Sequence, residues 1–147
     1  MERSDPRRVL IVAHKTAATD ALLDAVRERA QRGPCVFTLL VPNTTHGMHK
    51  VVDSGDLDED EAQEVLATAV PLLCEAAAAP VAAIIGDADP MAAVQDALNL
   101  HGFDEVIVST LSARLSRWLH LDLPSKIAGL GLPVTTVTAR EEAKLHA

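Results

Sequence analysis

The sequence contains very few aromatic residues: no tyrosine, one tryptophan and two phenylalanines among 147 residues. A hydrophobic core of this chain must therefore be built mainly from aliphatic side chains. Proteins that bind single-stranded nucleic acid usually stack the bases on exposed aromatic rings. The scarcity of such rings, together with a formal net charge of −8, argues against nucleic acid or an anionic membrane as a partner.

Cysteines and long apolar runs are scarce as well. Cys35 and Cys74 form no C-x-x-C motif and no pairing with histidine, and their apolar neighbours predict buried thiols. The first eight residues are charged, the apolar run after them is too short for a signal peptide, and no run reaches transmembrane length. We therefore expect one domain over residues 1–147, located in the cytoplasm.

Short apolar runs alternate with helical periodicities along the chain. The runs predict five strands, at residues 9–13, 36–41, 81–85, 104–109 and 134–138. The intervening segments predict four helices, with capping signals at Thr19, at Asp56 with Glu59, and at Asp89 before Pro90. Pro71 predicts a kink or a break in the second helix, and Pro124 predicts a kink or a restart in the fourth, with Asp122 as a candidate cap. Each crossover is long enough for a right-handed βαβ unit, so the pattern predicts an α/β fold with a doubly wound parallel sheet.

Polar and basic residues follow the first and the fourth predicted strands. In open parallel sheets, ligands bind beyond the carboxyl ends of the strands, at the point where the strand order reverses. Hydroxyl groups, cationic side chains and the free N–H groups of a helix N-terminus all favour an anion. We therefore expect a small anionic ligand at this point, bound by His14, Lys15, Thr16, Ser109, Thr110, Ser112, Arg114 and Arg117. The plainer interpretation, in which Ser109 and Thr110 only cap the fourth helix, stays open at this stage.

Other residues suggest chemistry more weakly. His46 and His49 have a spacing that two ligands of one metal ion can have. A closed metal site needs further ligands, so we expect no metal. The acidic run at residues 53–64 does not match a calcium loop and is typical of the first turns of a helix. His14 lacks the arrangement of a nucleophile and its base, so we assign no catalytic residue. Trp118 is expected to be a core anchor or a dimer contact.

The layout of the chain resembles that of the universal stress protein family. The resemblance extends over the whole chain, but its individual motifs are short. It is carried by the five-strand alternation, the Gly86-Asp87 turn after the third strand, the segment at residues 103–108 (FDEVIV), and Leu132-Pro133-Val134 before the fifth strand. The resemblance implies a five-stranded Rossmann-like fold of the adenine nucleotide alpha hydrolase type, with strand order 3-2-1-4-5. It also implies a homodimer formed through the last strand, Val134 to Thr138.

One branch of that family binds ATP through the motif G-x2-G-x9-G-[ST] after the fourth strand, with an aspartate at the end of the first strand. The matching positions here hold Ser109, Ser112, Asp122-Leu123 and His14. A phosphate cannot approach the backbone as closely at serine as at glycine, and the carboxylate of Asp122 would repel it. The resemblance therefore implies the fold, while these differences argue against ATP as a cofactor bound by this motif.

Together these observations predict a non-catalytic stress or regulatory protein that senses a small anionic ligand. Two other classes stay open. The first is a nucleotide-binding protein or an enzyme that uses the same cleft with contacts other than glycine. The second is a protein-interaction module that acts through the acidic loop and the second helix.

Overall fold

The computed structural model describes residues 6–14, 16–42, 54–87, 89–111, 117–120 and 122–139. Within these ranges the strands are β1 (Arg7–Val12), β2 (Cys35–Pro42), β3 (Val81–Gly86), β4 (Glu105–Thr110) and β5 (Val134–Thr138). The helices are α1 (Asp20–Gln31), α2 (Ser54–Ala77), α3 (Pro90–Leu100), α4 (Arg117–His120) and α5 (Leu123–Ala128). None of these helices is long and apolar enough to cross a membrane.

The five strands form an all-parallel sheet in the order β3-β2-β1-β4-β5. The predicted fold class and strand order are therefore confirmed. The chain moves outward from β1 to β3 on one side and then crosses back to β4 on the other side. The order thus reverses between β1 and β4, whose carboxyl ends flank the switch point of the sheet.

The core lies on both faces of the sheet, and β1 contributes to both. Val9 and Ile11 belong to the cluster that α1 and α2 cover, whereas Leu10 and Val12 belong to the cluster on the α3 and α5 side. All four side chains are fully buried, which explains why this strand is a continuous apolar run in the sequence. Trp118 is half-buried against the second cluster, as expected for a core anchor, while its alternative role as a dimer contact stays a prediction.

Helix α2 departs from its prediction at two points. It begins at Ser54 rather than at Asp56, and it continues through Pro71 without a break. The predicted alternative of a break at this proline was therefore wrong. Ala69 and Leu73 on either side of Pro71 are fully buried in the core, and this packing keeps the helix continuous despite the lost N–H group.

The predicted N-cap of α1 is confirmed. The predicted cap residues of α3 and α5 occupy the N-cap positions but do not form the expected side-chain hydrogen bonds. The Thr19 hydroxyl accepts the Leu22 N–H of α1 at 3.4 Å. Asp89 and Asp122 occupy the N-cap positions of α3 and α5, but neither side chain makes a capping hydrogen bond. The Asp87 carboxylate instead accepts the Asp89 N–H at 2.9 Å. The restart near Pro124 is confirmed, because α4 and α5 are separate helices.

The two cysteines are less buried than their apolar neighbours suggested. Cys35 and Cys74 are both free thiols of intermediate exposure. Cys35 is the first residue of β2, where the sheet begins, and Cys74 lies in the last turns of α2. Both positions are therefore at the margin of the core, where the thiols are half-buried rather than buried as predicted.

Candidate functional site

The switch point gathers polar side chains at the ends of two apolar strands. Strands β1 and β4 are paired in register from Val9 with Glu105 to Val12 with Val108. His14 and Thr16 follow β1, while Ser109 and Thr110 complete β4. All four are buried, with exposures of 7%, 3%, 1% and 3% in chain order.

A hydroxyl bridge joins the two sides of the switch point. The Thr16 Oγ1 and Ser109 Oγ atoms lie 2.7 Å apart, and either hydroxyl can donate the hydrogen bond. The Ser109 hydroxyl also lies 3.5 Å from the Thr16 carbonyl oxygen. The two residues are 93 positions apart in the sequence, so this contact ties the turn after β1 directly to the end of β4.

The turn between β1 and α1 is closed by its own hydrogen bonds. The Ala17 N–H donates to the His14 carbonyl at 3.2 Å. The Thr16 carbonyl accepts the N–H of Thr19 at 3.2 Å and its hydroxyl at 3.0 Å. Because Thr19 also accepts the Leu22 N–H, a path of hydrogen bonds runs from Ser109 on β4 to the first turn of α1.

Thr110 is the last residue of β4 and bonds locally. Its hydroxyl donates to the Leu111 carbonyl at 2.9 Å, and its own carbonyl accepts the N–H of Ala139 at 2.8 Å. Leu111, which directly follows β4, is not helical. Of the two described hydroxyl groups, that of Ser109 therefore bonds across to the turn after β1 and that of Thr110 bonds to its neighbour, and neither described bond caps a helix.

The structure describes only one of the other four predicted site residues. Lys15, Ser112 and Arg114 lie outside the described residues, and Arg117 is the first residue of α4. His46 and His49 also lie outside them. Most of the acidic run forms the start of α2, as expected for carboxylates near a helix N-terminus.

An ion-pair cluster that the sequence did not predict lies at the opposite end of the sheet. Glu105 opens β4, and its carboxylate accepts hydrogen bonds from Arg29 of α1 at 2.9 Å and 2.9 Å and from Arg7 of β1 at 3.2 Å. The Arg29 bonds, assisted by Arg7, lower the pKa of Glu105 against the opposing effect of burial. Burial raises the pKa of the neighbouring Cys35 thiol, which disfavours the thiolate form. The only sign of this cluster in the sequence is the acidic residue Glu105 before an apolar strand. Such a residue does not by itself identify the arginines that bind it.

Comparisons by sequence give no relative: no protein-family model matches the chain, and no curated protein matches it. Comparison with solved structures finds clear similarity. The universal stress protein UspA from Lactobacillus plantarum superposes with a TM-score of 0.63 at 13% identity, over 94% of this chain and 100% of that chain. A universal stress protein from Archaeoglobus fulgidus, solved in complex with dAMP, gives 0.60 at 18% identity over 90% and 98%. The chain has the universal stress protein fold.

A third structure of the same kind comes from a plant. A universal stress protein family protein from Arabidopsis thaliana, with AMP bound, gives a TM-score of 0.63 at 15% identity, over 94% of this chain and 95% of that chain. Identities this low establish the fold alone. The universal stress protein fold explains why β1 and β4 are neighbours and why their polar ends meet, since both follow from its strand order.

Proposed function

We propose that this chain is a universal-stress-protein-like regulatory protein of the cytoplasm, which binds a small anionic ligand between the ends of β1 and β4 and does not catalyse a reaction. The observation that supports it most is the grouping of His14, Thr16, Ser109 and Thr110 at this point. Buried polar groups cost free energy unless they are bonded. Here Thr16, Ser109 and Thr110 are bonded within the protein, so the support for a ligand comes from their place: the carboxyl ends of the strands at the switch point are where open parallel sheets bind ligands.

The ligand that we propose is a nucleoside monophosphate. Two proteins of the same fold were solved with AMP and dAMP. In this chain Lys15 stands between His14 and Thr16, and Arg114 and Arg117 follow β4 in the sequence. Cationic groups of this kind form strong charge-assisted bonds to phosphate. Ser109 and Ser112 in place of glycines argue against a triphosphate held closely by backbone N–H groups.

Native mass spectrometry of the full chain, with AMP, ATP and inorganic phosphate titrated separately, tests this proposal. We expect stoichiometric uptake of AMP, weaker uptake of ATP, and loss of AMP binding in Arg114→Ala. The matched control is Arg27→Ala, because Arg27 is an exposed arginine of α1 that pairs with Asp24 away from the switch point. If none of the three compounds binds at millimolar concentration, the proposal is wrong.

We also propose that the protein forms a homodimer through β5. This strand lies at the edge of the sheet and pairs with β4 on one side. Its sequence, VTTVT, has no charged residue, whereas exposed edge strands of monomers usually carry charge, proline or a bulge that blocks pairing. Edge-to-edge pairing of two copies would satisfy its outward N–H and C=O groups, as in a two-fold symmetric interface.

A further inference from the structure

We propose that Thr16 and Ser109 are positioning residues, whose hydroxyl bridge holds the β1–α1 turn at the distance from β4 that the anionic ligand requires. This inference rests on the proposed function, because it concerns the affinity of the same cleft. It adds a role for two residues that need not touch the ligand. A ligand site keeps its geometry only when the groups around it are held in place by further contacts.

The burial of the bridge makes it suitable for this role. Thr16 and Ser109 are 3% and 1% exposed, so water cannot easily replace either partner. A buried hydroxyl that loses its partner is destabilising unless the structure shifts to give it another. In Thr16→Val the remaining acceptor near the Ser109 hydroxyl is the Thr16 carbonyl oxygen at 3.5 Å, and a normal hydrogen bond to it requires the turn to move closer. Loss of the bridge is therefore expected to move the turn rather than to leave it unchanged.

The bonds of the turn transmit this constraint to α1. Thr16 is bonded to Ser109 through its hydroxyl and to Thr19 through its carbonyl, and Thr19 caps α1 at Leu22. Leu22 is fully buried, so one end of this path is fixed in the core while the other is fixed by β4. His14, a predicted ligand contact, lies between the end of β1 and Thr16, directly before this fixed path.

The first arm of the test uses the protein without ligand. Amide hydrogen exchange reports the protection of the Ala17 and Thr19 N–H groups, which donate to the His14 and Thr16 carbonyls. We expect faster exchange at both amides in Thr16→Val and in Ser109→Ala, and wild-type exchange in Thr16→Ser, which keeps the hydroxyl. Unchanged protection in both hydroxyl-free variants would overturn the proposal.

The second arm measures AMP affinity by calorimetry in the same variants. We expect Thr16→Val and Ser109→Ala each to weaken binding about tenfold, as for the loss of one hydrogen bond. The double variant should be no weaker than either single variant, because the two residues act through one bond. Thr16→Ser should bind as the wild type does, and so should the control Thr38→Val, which removes a hydroxyl from the middle of β2.

The outcomes separate this inference from the proposed function. If the wild type does not bind AMP, the proposed function fails, and the exchange arm still decides whether the bridge holds the turn. If AMP binds equally well to the wild type and to both hydroxyl-free variants, the positioning role is wrong while the ligand site stands. If the two substitutions weaken binding additively, each hydroxyl contacts the ligand by itself, which also overturns the proposal.

Both substitutions nearly preserve the volume of the side chain. Should Thr16→Val fail to fold, Ser109→Ala together with Thr16→Ser still decides the outcome.

Discussion

Arg29 and Glu105 form a bidentate ion pair that fastens α1 to the amino end of β4. The Nε and Nη2 atoms of Arg29 donate to the two carboxylate oxygens of Glu105, each at 2.9 Å. Their side chains are only 11% and 16% exposed. Parallel bonds of this kind match the planar guanidinium to the planar carboxylate, and only arginine can make them.

The first prediction is that Glu105→Gln lowers the free energy of unfolding by about 1–3 kcal/mol at pH 7, because it leaves the Arg29 charge largely buried without its counter-charge. Urea denaturation measures the change. The control is Asp24→Asn, which breaks the exposed Arg27–Asp24 pair, with side chains 51% and 72% exposed. Solvent screens that pair, so its loss should change the free energy by less than about 0.5 kcal/mol. Equal effects of the two substitutions would contradict the prediction.

The second prediction concerns the pH dependence of the same pair. The hydrogen bonds from Arg29 lower the pKa of Glu105 in the folded protein. A lowered pKa means that the carboxylate contributes its full stabilisation above the ordinary glutamate pKa of 4.5, and that this contribution is lost as the pH falls through the lowered value. The stability difference between wild type and Glu105→Gln should therefore be constant near neutrality and shrink on acidification below 4.5. A difference that does not change in acid would show that the effect is not ionic.

The third prediction concerns the close packing of β3 against α3 at Gly86. A Cβ atom at this position would lie 2.9 Å from Ala93 Cβ and 2.9 Å from Leu40 Cδ1. Gly86→Ala should therefore lower the free energy of unfolding by about 1–3 kcal/mol through overpacking. Gly129→Ala is the matched control, since its Cβ would lie at 3.4 Å or more from its neighbours at an ordinary helical φ of −62°. Thermal denaturation of both variants checks this, and a Gly86→Ala variant as stable as the control would refute it.

Features that depend on neighbouring residues could be predicted from the sequence, whereas contacts between distant residues could not. The apolar run at residues 9–13 indicates β1 because burial on both faces removes every polar position, and Thr19 indicates the start of α1 because its bond reaches only to Leu22. The bond between Thr16 and Ser109 and the pair of Arg29 with Glu105 span 93 and 76 positions. Their formation depends on side-chain conformations set by the assembled core, which no short pattern contains.

The fourth prediction concerns the end of α2, where Ala78 has a φ of 59°. This left-handed conformation costs an L-residue free energy that glycine does not incur. Ala78→Gly should therefore raise the free energy of unfolding by about 0.5–1 kcal/mol, whereas Ala79→Gly, at a neighbouring exposed position without positive φ, should lower it by a similar amount. Thermal melts of the two variants should shift in opposite directions. Shifts of the same sign would show that the strain at Ala78 is not relieved.

The fifth prediction tests the proposed dimer at the outer edge of β5. The Ala139 N–H donates to the Thr110 carbonyl of β4, and N–H directions alternate along a parallel strand. The N–H of Thr136, three residues earlier, therefore faces away from β4. Thr136→Pro removes this outward donor and keeps the bonds to β4, a position where sheets tolerate proline.

We expect light scattering to show a dimer for the wild type and a monomer for Thr136→Pro. The control Thr136→Ala keeps the N–H group and should stay dimeric, which separates loss of the backbone donor from loss of the threonine side chain. Circular dichroism must show the same secondary structure in all three proteins, because an unfolded proline variant would also lose the dimer. A folded Thr136→Pro variant that remains dimeric would place the interface elsewhere on the molecule, and a monomeric wild type would remove the proposed dimer altogether.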